Sequence, residues 1–466
     1  LITAAAKPTH EALQAARTAL RALEQHNRLR YSGGRAIDPR APEPDDRPRQ
    51  GGGRAAMEFE RAEAAVRLLA WLVARPDHAA QEALSRPEKA ARLGRWYAEE
   101  GGYLDNARRI ARGPADGRFG EGIAAILERA DVARRALDFD FADNLRAWSI
   151  SQNPSQVIPI HEVLTRIAVP FLADNPERRL LVLLLDGMAW AQAVELLESL
   201  AEEANPWAPL NWHGQPEHTV GGGFIPPVFA GIPSITTVSR SAFFAGKPMP
   251  DGANLNTSKD PDHLAKHAAL RRLFPGATAP KLFLRNSFVH VGGANREILA
   301  EIRDPHARLV AAVVNAIDSS LAADAQQSAD WKARNVRPLH DMLDAAQAAG
   351  RAVLLASDHG HVPGDRLEWT NTRPTNAGAR WRPWTDDAVI QEYERTFAGE
   401  SYAYTPRGSR GVILIADDSH RYSIKANHAG EHGGATLAEI VAPALLIGWE
   451  GMGSMYGDHE LGVRRL

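Results

Sequence analysis

Apolar residues recur at three-to-four spacing along segments 11–24, 59–74 and 122–137, so each is predicted to form an amphipathic helix. Between the first two, residues 32–53 are dense in Gly, Pro, Arg and Asp and read as a loop or linker. No internal repeat is found, and no heptad run is long enough for a coiled coil.

The period changes near Asn175-Pro176-Glu177. From there, short continuous apolar runs alternate with helical stretches. Strands are predicted at 180–185, 281–284, 308–314, 352–356, 411–416 and 441–447. Helices are predicted after Asp186, around 239–244, at 337–348 and at 385–395. This pattern predicts an α/β domain over 176–466 with a mostly parallel, buried sheet between helices. An all-α region over 1–175 precedes it. In such sheets, ligands bind beyond the carboxyl ends of the strands, so the polar residues there are the ones to inspect.

Composition narrows the chemistry. A chain of 466 residues is expected to hold two or more domains. Hydrophobic content of 44% and charged content of 24% fit a soluble globular protein. A net charge of -3 excludes a uniformly basic nucleic-acid coat, while 54 Lys and Arg residues leave room for a local basic groove. Cysteine is absent, which rules out disulfides, thiolate metal sites and a Cys nucleophile. Any metal must be held by carboxylates and imidazoles, and there are 17 His. No apolar run is long enough for a bilayer and no signal peptide is visible, so a cytoplasmic protein with no membrane contact is expected. The first residue is Leu1 rather than Met, as expected of a fragment or a processed chain.

Four motifs carry the candidate chemistry. The first apolar run ends directly in Asp186-Gly187. A strand-terminal carboxylate there is a ligand or merely caps the next helix. Next, Pro233-Ser234-Ile235-Thr236-Thr237-Val238-Ser239-Arg240 puts hydroxyls at the opening of a helix. Free N–H groups at a helix start favour an anion, and a hydroxyl there can attack phosphorus if a metal lowers its pKa. The plainer reading is an ordinary N-cap. Then the 352–356 run ends in Ser357-Asp358-His359-Gly360. Adjacent Asp and His supply one hard oxygen and one imidazole, a fair set for Zn²⁺ or Mn²⁺, and packing alone does not explain them. Last, His428-Ala429-Gly430-Glu431-His432-Gly433-Gly434 precedes the final strand. The glycines would let a His ring reach a metal, or they mark only a flexible loop.

Taken in order, these motifs resemble the alkaline phosphatase superfamily. Pro233 to Gly246, with His432-Gly433-Gly434 and the trailing Glu439 and Pro443, resembles more narrowly the PglZ domain of bacterial BREX and phage-growth-limitation defence systems. The resemblance covers the last two-thirds of the chain. It implies one metal site at Asp186, Thr236, Asp358 and His359, with Thr236, three residues after Pro233, as nucleophile and Thr237 or Ser239 as the neighbouring alternatives. It implies a second site at His432 and an Asp beyond an earlier strand, for which Asp318 fits by position. Here the chain departs from the phosphodiesterase branch, which has a His four residues after that Asp where this chain has Ala322. His361, Asp324 and His428 stand as alternatives for the missing ligand. Arg240, one turn beyond Thr236, would steady a phosphate oxygen or form a salt bridge with a core carboxylate. The stretch 371–384 would shape a substrate wall or lie as a surface loop or edge hairpin.

The function implied is a metal-dependent phosphodiesterase or phosphatase acting on nucleotides or nucleic acid, alongside other defence-system proteins. With two metals about 4 Å apart, Thr236 would form a phospho-enzyme that water releases. The alternative is an interaction module of a defence complex with a weak or degenerate metal site. A sulfatase is disfavoured because its Cys or Ser nucleophile motif is missing.

Overall fold

The computed structural model describes residues 8–31, 50–74, 84–112, 117–151, 156–203, 205–211, 226–275, 279–284, 294–315, 331–372, 374–398, 402–424, 430–456 and 462–463. Asp318, Asp324, His428 and the 32–49 part of the expected linker lie outside these residues. Gln50, at that linker's far end, already opens a helix.

The chain divides into two compact units, Leu1–Glu82 with Tyr103–Ala136 and Ala83–Gly102 with Leu137–Leu466. The helices of the early region are α1 (His10–Tyr31), α2 (Gln50–Ala74), α3 (Arg86–Trp96), α4 (Gly102–Ala111) and α5 (Gly117–Ile150). In the first unit, α1 packs on α2. There Arg108 bridges Asp105 and Asp131 at 2.7 and 2.8 Å, which satisfies a guanidinium that packing has largely removed from water.

The second unit is built on a mixed sheet of seven strands. Its parallel half is β5 (Lys281–Phe283), β6 (Leu309–Val314), β2 (Leu180–Leu185) and β7 (Ala352–Ala356), with β2 between β6 and β7. The sheet continues antiparallel from β7 through β14 (Ala444–Gly448) and β3 (Ala208–Asn211) to β15 (Gly462–Val463). Every residue of β2, β6 and β7 is buried, as expected of parallel strands covered on both faces. Each Leu or Val among them contributes about 2 kcal/mol relative to exposure. This is the α/β class with a helical region before it.

Register decides where the chemistry lies. Leu185 of β2 pairs with Val314 of β6, and Leu184 pairs with Ala356 of β7. The residues just past three adjacent parallel strands are therefore Asp186, Asn315 and Ser357-Asp358, all at one edge of the sheet. Further helices are α6 (Val169–Asp174), α7 (Trp190–Ala201), α8 (Thr236–Ala245), α9 (Asp260–Ala265), α10 (Ala268–Leu273), α11 (Arg296–Arg303), α12 (Arg337–Ala348) and α13 (Leu437–Ile440).

Three expectations change. Segment 385–395 is not a helix: it turns and then enters β10 (Glu394–Ala398). Val389 and Ile390 are exposed there, so no apolar helix face had anything to bury against, whereas the buried Glu394 is held by Arg382. The 411–416 run forms β11 (Gly411–Ile415), not in the main sheet but between β10 and β9 (Trp381–Pro383), antiparallel to both. The 441–447 run breaks at Pro443 into β13 (Val441–Ala442) and β14. Proline has no N–H for the ladder, and the two halves pair in different sheets: β14 with β7, and β13 with β4 (Val228–Phe229), which also pairs with β1 (Ile158–Pro159). The remaining two described strands, β8 (Glu368–Trp369) and β12 (His420–Arg421), pair with each other.

Candidate metal centre

Asp186, Asp358 and His359 are all buried, and one ligand atom from each lies within 4.8 Å of the others. Among the described residues this is the group of carboxylate and imidazole side chains that could hold an ion. Thr236, the first residue of α8, meets it from across the edge. Its Oγ1 is 3.0 Å from His359 Nε2 and 3.3 Å from Asp186 Oδ1. Thr236 is half-buried, so the hydroxyl closes the cluster on a side that solvent reaches.

Each ligand candidate is fixed by a second partner. Asp186 Oδ2 accepts from Arg240 Nη1 at 2.6 Å and from Asn315 Nδ2 at 3.0 Å, which leaves Oδ1 facing Thr236. Asp358 Oδ1 accepts from the Gly187 N–H at 3.1 Å, and its Oδ2 lies 3.6 Å from His359 Nε2. Gly187 has φ 75°, a left-handed conformation that suits glycine and aims its N–H back at Asp358. His359 Nδ1 donates to the Gly360 carbonyl at 3.0 Å, so the neutral ring carries its lone pair on Nε2. Burial pushes its pKa below the usual histidine range and keeps that lone pair available.

His432 arrives from the Gly-Gly loop. Its ring stacks on that of His359 with centroids 4.2 Å apart. Its Nδ1 donates to the Ser234 carbonyl at 3.1 Å, which puts the Nε2 lone pair in the metal-binding tautomer. Ser234 does more: its hydroxyl donates to the Gly434 carbonyl at 2.9 Å and accepts from the Gly433 N–H at 3.2 Å. The loop before Thr236 and the loop after His432 are thus stitched by one serine. Ser357 ties the strands, its hydroxyl lying 2.9 Å from the Leu185 carbonyl and 2.7 Å from that of His359.

Of the two roles weighed for Arg240, the structure shows the salt bridge. Its Nε donates to Asp260 Oδ2 at 2.9 Å while Nη1 holds Asp186. Burial opposes the cation, but Asp186, Asp358 and Asp260 outweigh it and hold its pKa above the ordinary value. Its fork is engaged by carboxylates, so its place is behind Asp186.

His361 is engaged elsewhere. Its Nδ1 donates to the Gly187 carbonyl at 2.8 Å, and Gln192 Nε2 donates to its Nε2 at 3.1 Å. Burial lowers its pKa to about 4. Both of its ring nitrogens are thus hydrogen-bonded within the protein, between Gly187 and Gln192. Asp318, the other expected ligand of that second site, lies outside the described residues.

Sequence reasoning missed Ser234, Asn315, Asp260 and Arg380. Arg380 and Trp381 fall in the stretch expected to be a substrate wall or surface hairpin, yet Arg380 is fully buried against Glu439, and a Cβ on Gly433 would lie 2.7 Å from Trp381 Cδ1. A lone Arg or Asn carries no local signal for a partner 59 or 129 residues away.

Two carboxylates and an imidazole on parallel strand ends, with a hydroxyl from a helix start, form the donor set that Zn²⁺ or Mn²⁺ takes. This arrangement on this sheet is that of an alkaline-phosphatase-like domain. Residues 163–447 match the family model of the BREX system PglZ alkaline phosphatase-like domain, and the chain belongs to that family. Among solved structures, the chain is similar to the murine ectonucleotide pyrophosphatase/phosphodiesterase 5, at 11% identity and a TM-score of 0.37, over 58% of this chain and 88% of that one. The human ectonucleotide pyrophosphatase/phosphodiesterase 5 is similar at 11% identity and a TM-score of 0.36, over 58% and 87%. No curated protein matches the chain. No described helix is long and apolar enough to cross a membrane.

Proposed function

We propose that the chain is a metal-dependent phosphoester hydrolase, acting on a nucleotide or nucleic-acid phosphoester within a BREX-type defence system, with Thr236 as its nucleophile. The observation that carries this reading is the position of Thr236 Oγ1, at a helix start, 3.0 Å from His359 Nε2 and 3.3 Å from Asp186 Oδ1. Asp186, Asp358 and His359 would hold Zn²⁺ or Mn²⁺, with His432 beside them. A bound cation would lower the pKa of the Thr236 hydroxyl and offset charge on the phosphate.

The chain's own residues supply the rest. Thr236 Oγ1 attacks phosphorus, its proton passes to a neighbouring acceptor, and the bond from phosphorus to the leaving alcohol breaks. Water then cleaves the phosphothreonine and restores the hydroxyl. The first N–H groups of α8 lie where an anion is favoured, so phosphate oxygens are drawn to the same end. Arg240 acts through Asp186 and is a positioning residue.

Turnover of bis(p-nitrophenyl) phosphate with added Zn²⁺ or Mn²⁺ tests the reading. Thr236→Ala is expected to abolish it while leaving the melting temperature within a few degrees. Turnover that survives this substitution would remove Thr236 from the mechanism. Metal bound and stabilising the fold, with no phosphoester turned over, would favour the interaction module.

A further inference from the structure

A cavity of 270 Å³ lies against α8, with Val238 and Ala242 in its wall. Thr236 and Arg240 face the metal cluster, and Val238 and Ala242 follow each by two residues, about 200° around the helix. The cavity is therefore on the face of α8 opposite the metal centre.

Its formal charge is of one sign. Asp251 is among the lining residues, and neither Lys nor Arg is among the described ones. The carboxylate is held in place: the Thr405 N–H donates to its Oδ1 at 2.8 Å, and the Gly252 N–H donates back to the Thr405 carbonyl at 2.8 Å. Among the described residues, Asp251 has no ion pair with Lys, Arg or His. Burial and then the Asp251 charge raise the pKa of the Tyr404 phenol, whose O–H donates to the Ala253 carbonyl at 2.9 Å. A lining tyrosine and the carboxylate are thus close neighbours. Arg166 lies near His161 and Tyr402, but Glu162 neutralises it at 2.6 Å.

The rest of the wall is rich in π systems. Tyr402 and Tyr404 both line the cavity and are half-buried. Tyr402 stacks on Trp148 with centroids 5.0 Å apart and lies 5.5 Å from the His161 ring. Burial, assisted by the Arg166 charge, holds His161 at about 4, so the imidazole adds no positive charge near neutral pH. A carboxylate beside aromatic rings attracts a cation, through Coulomb energy and through the negative faces of the rings. A phosphate would meet only like charge there. An uncharged occupant would strip water from Asp251 and leave it uncompensated. The volume is below that of a drug-sized site, so the cation is small.

We propose that this cavity binds a small organic ammonium ion, its charge set against Asp251 and the rings of Tyr402 and Tyr404. The site is separate from the metal centre and does not depend on the hydrolase reading.

Calorimetric titration of the full chain with choline and with 3,3-dimethylbutan-1-ol, which has the same shape with carbon in place of the charged nitrogen, tests the inference. Choline is expected to bind one per chain and about tenfold or more tightly than the alcohol. Asp251→Asn keeps an acceptor for the Thr405 N–H and removes the charge; it should weaken choline about 5- to 10-fold and leave the alcohol unchanged. Tyr402→Leu should also weaken choline, by removing a ring. The comparison of the two ligands on the parent chain needs no variant, so it stands even if a variant fails to fold. No saturable binding of choline at millimolar concentration, or equal affinity for the two ligands, overturns the proposal. Choline bound as tightly by a folded Asp251→Asn chain overturns it too, because the cation would then sit elsewhere.

Discussion

Arg380 Nε donates to Glu439 Oε1 at 2.8 Å, and neither side chain is exposed. The same carboxylate accepts from the Gly434 N–H and the Thr436 hydroxyl, each at 2.7 Å. One buried pair thereby fixes both the glycine step after His432 and the start of α13. Removing one partner of such a pair leaves a buried charge uncompensated, which costs about 3–5 kcal/mol. Arg380→Met is expected to lose that much in urea denaturation. A loss below about 1 kcal/mol would show that Glu439 finds compensation elsewhere.

Arg240 offers a test of positioning as distinct from stability. It joins Asp260 to Asp186, and Asn315 supplies the second donor to the same Asp186 oxygen. Arg240→Lys keeps a charge but loses the fork that spans two carboxylates. Divalent-metal affinity is expected to fall about 10- to 100-fold, the usual effect of losing an outer partner of a ligand. Competition titration against a zinc-sensitive dye measures it. Unchanged affinity would leave Arg240 a purely structural cation.

These two residues also show what the sequence could and could not convey. Asp186 and Asp358-His359 were legible because each ends an apolar run, and β2 and β7 begin and end where their runs do. Thr236 was legible from the Pro and hydroxyl pattern at a helix start. Arg380 and Asp260 were not: their partners, Glu439 and Arg240, are brought close only by the tertiary fold. The helix expected over 385–395 failed for a related reason. Its local composition allowed a helix, but pairing with β11 and the hold of Arg382 on Glu394 fix its end in β10, and the residues before it turn instead.

His161 predicts an acid limit on stability. Burial, with the Arg166 charge adding to it, holds its imidazole at about 4 against 6.5 for the free side chain. Between those values the unfolded chain binds the proton and the folded chain does not, so stability rises with pH across the window. The contribution is complete above about pH 6.5 and is lost as pH falls towards 4, at about 1.4 kcal/mol per pH unit for one group. Urea midpoints measured at pH 7.5 and pH 5 should show this loss. His161→Gln should flatten the difference, and an unchanged slope would place the acid sensitivity elsewhere.

Gly360 and Gly433 should respond to alanine by different amounts. A Cβ on Gly360 would lie 1.9 Å from the carbonyl oxygen of Ala438, a backbone atom that cannot turn aside. The Gly360 N–H also donates to the Glu439 carbonyl at 3.1 Å, so the end of β7 and α13 would have to part. Gly433 has φ 111°, and its Cβ would meet the Trp381 ring, a side chain with some freedom to shift. Gly433→Ala is therefore expected to cost about 1–3 kcal/mol, largely backbone strain. Gly360→Ala should exceed that and leave little folded protein at 37 °C. The surviving Gly433→Ala protein should bind metal more weakly than the parent, because the strain falls on the residue after His432. Equal melting temperatures for the two variants would show that the strand end and α13 separate without penalty, contrary to the contact at Ala438.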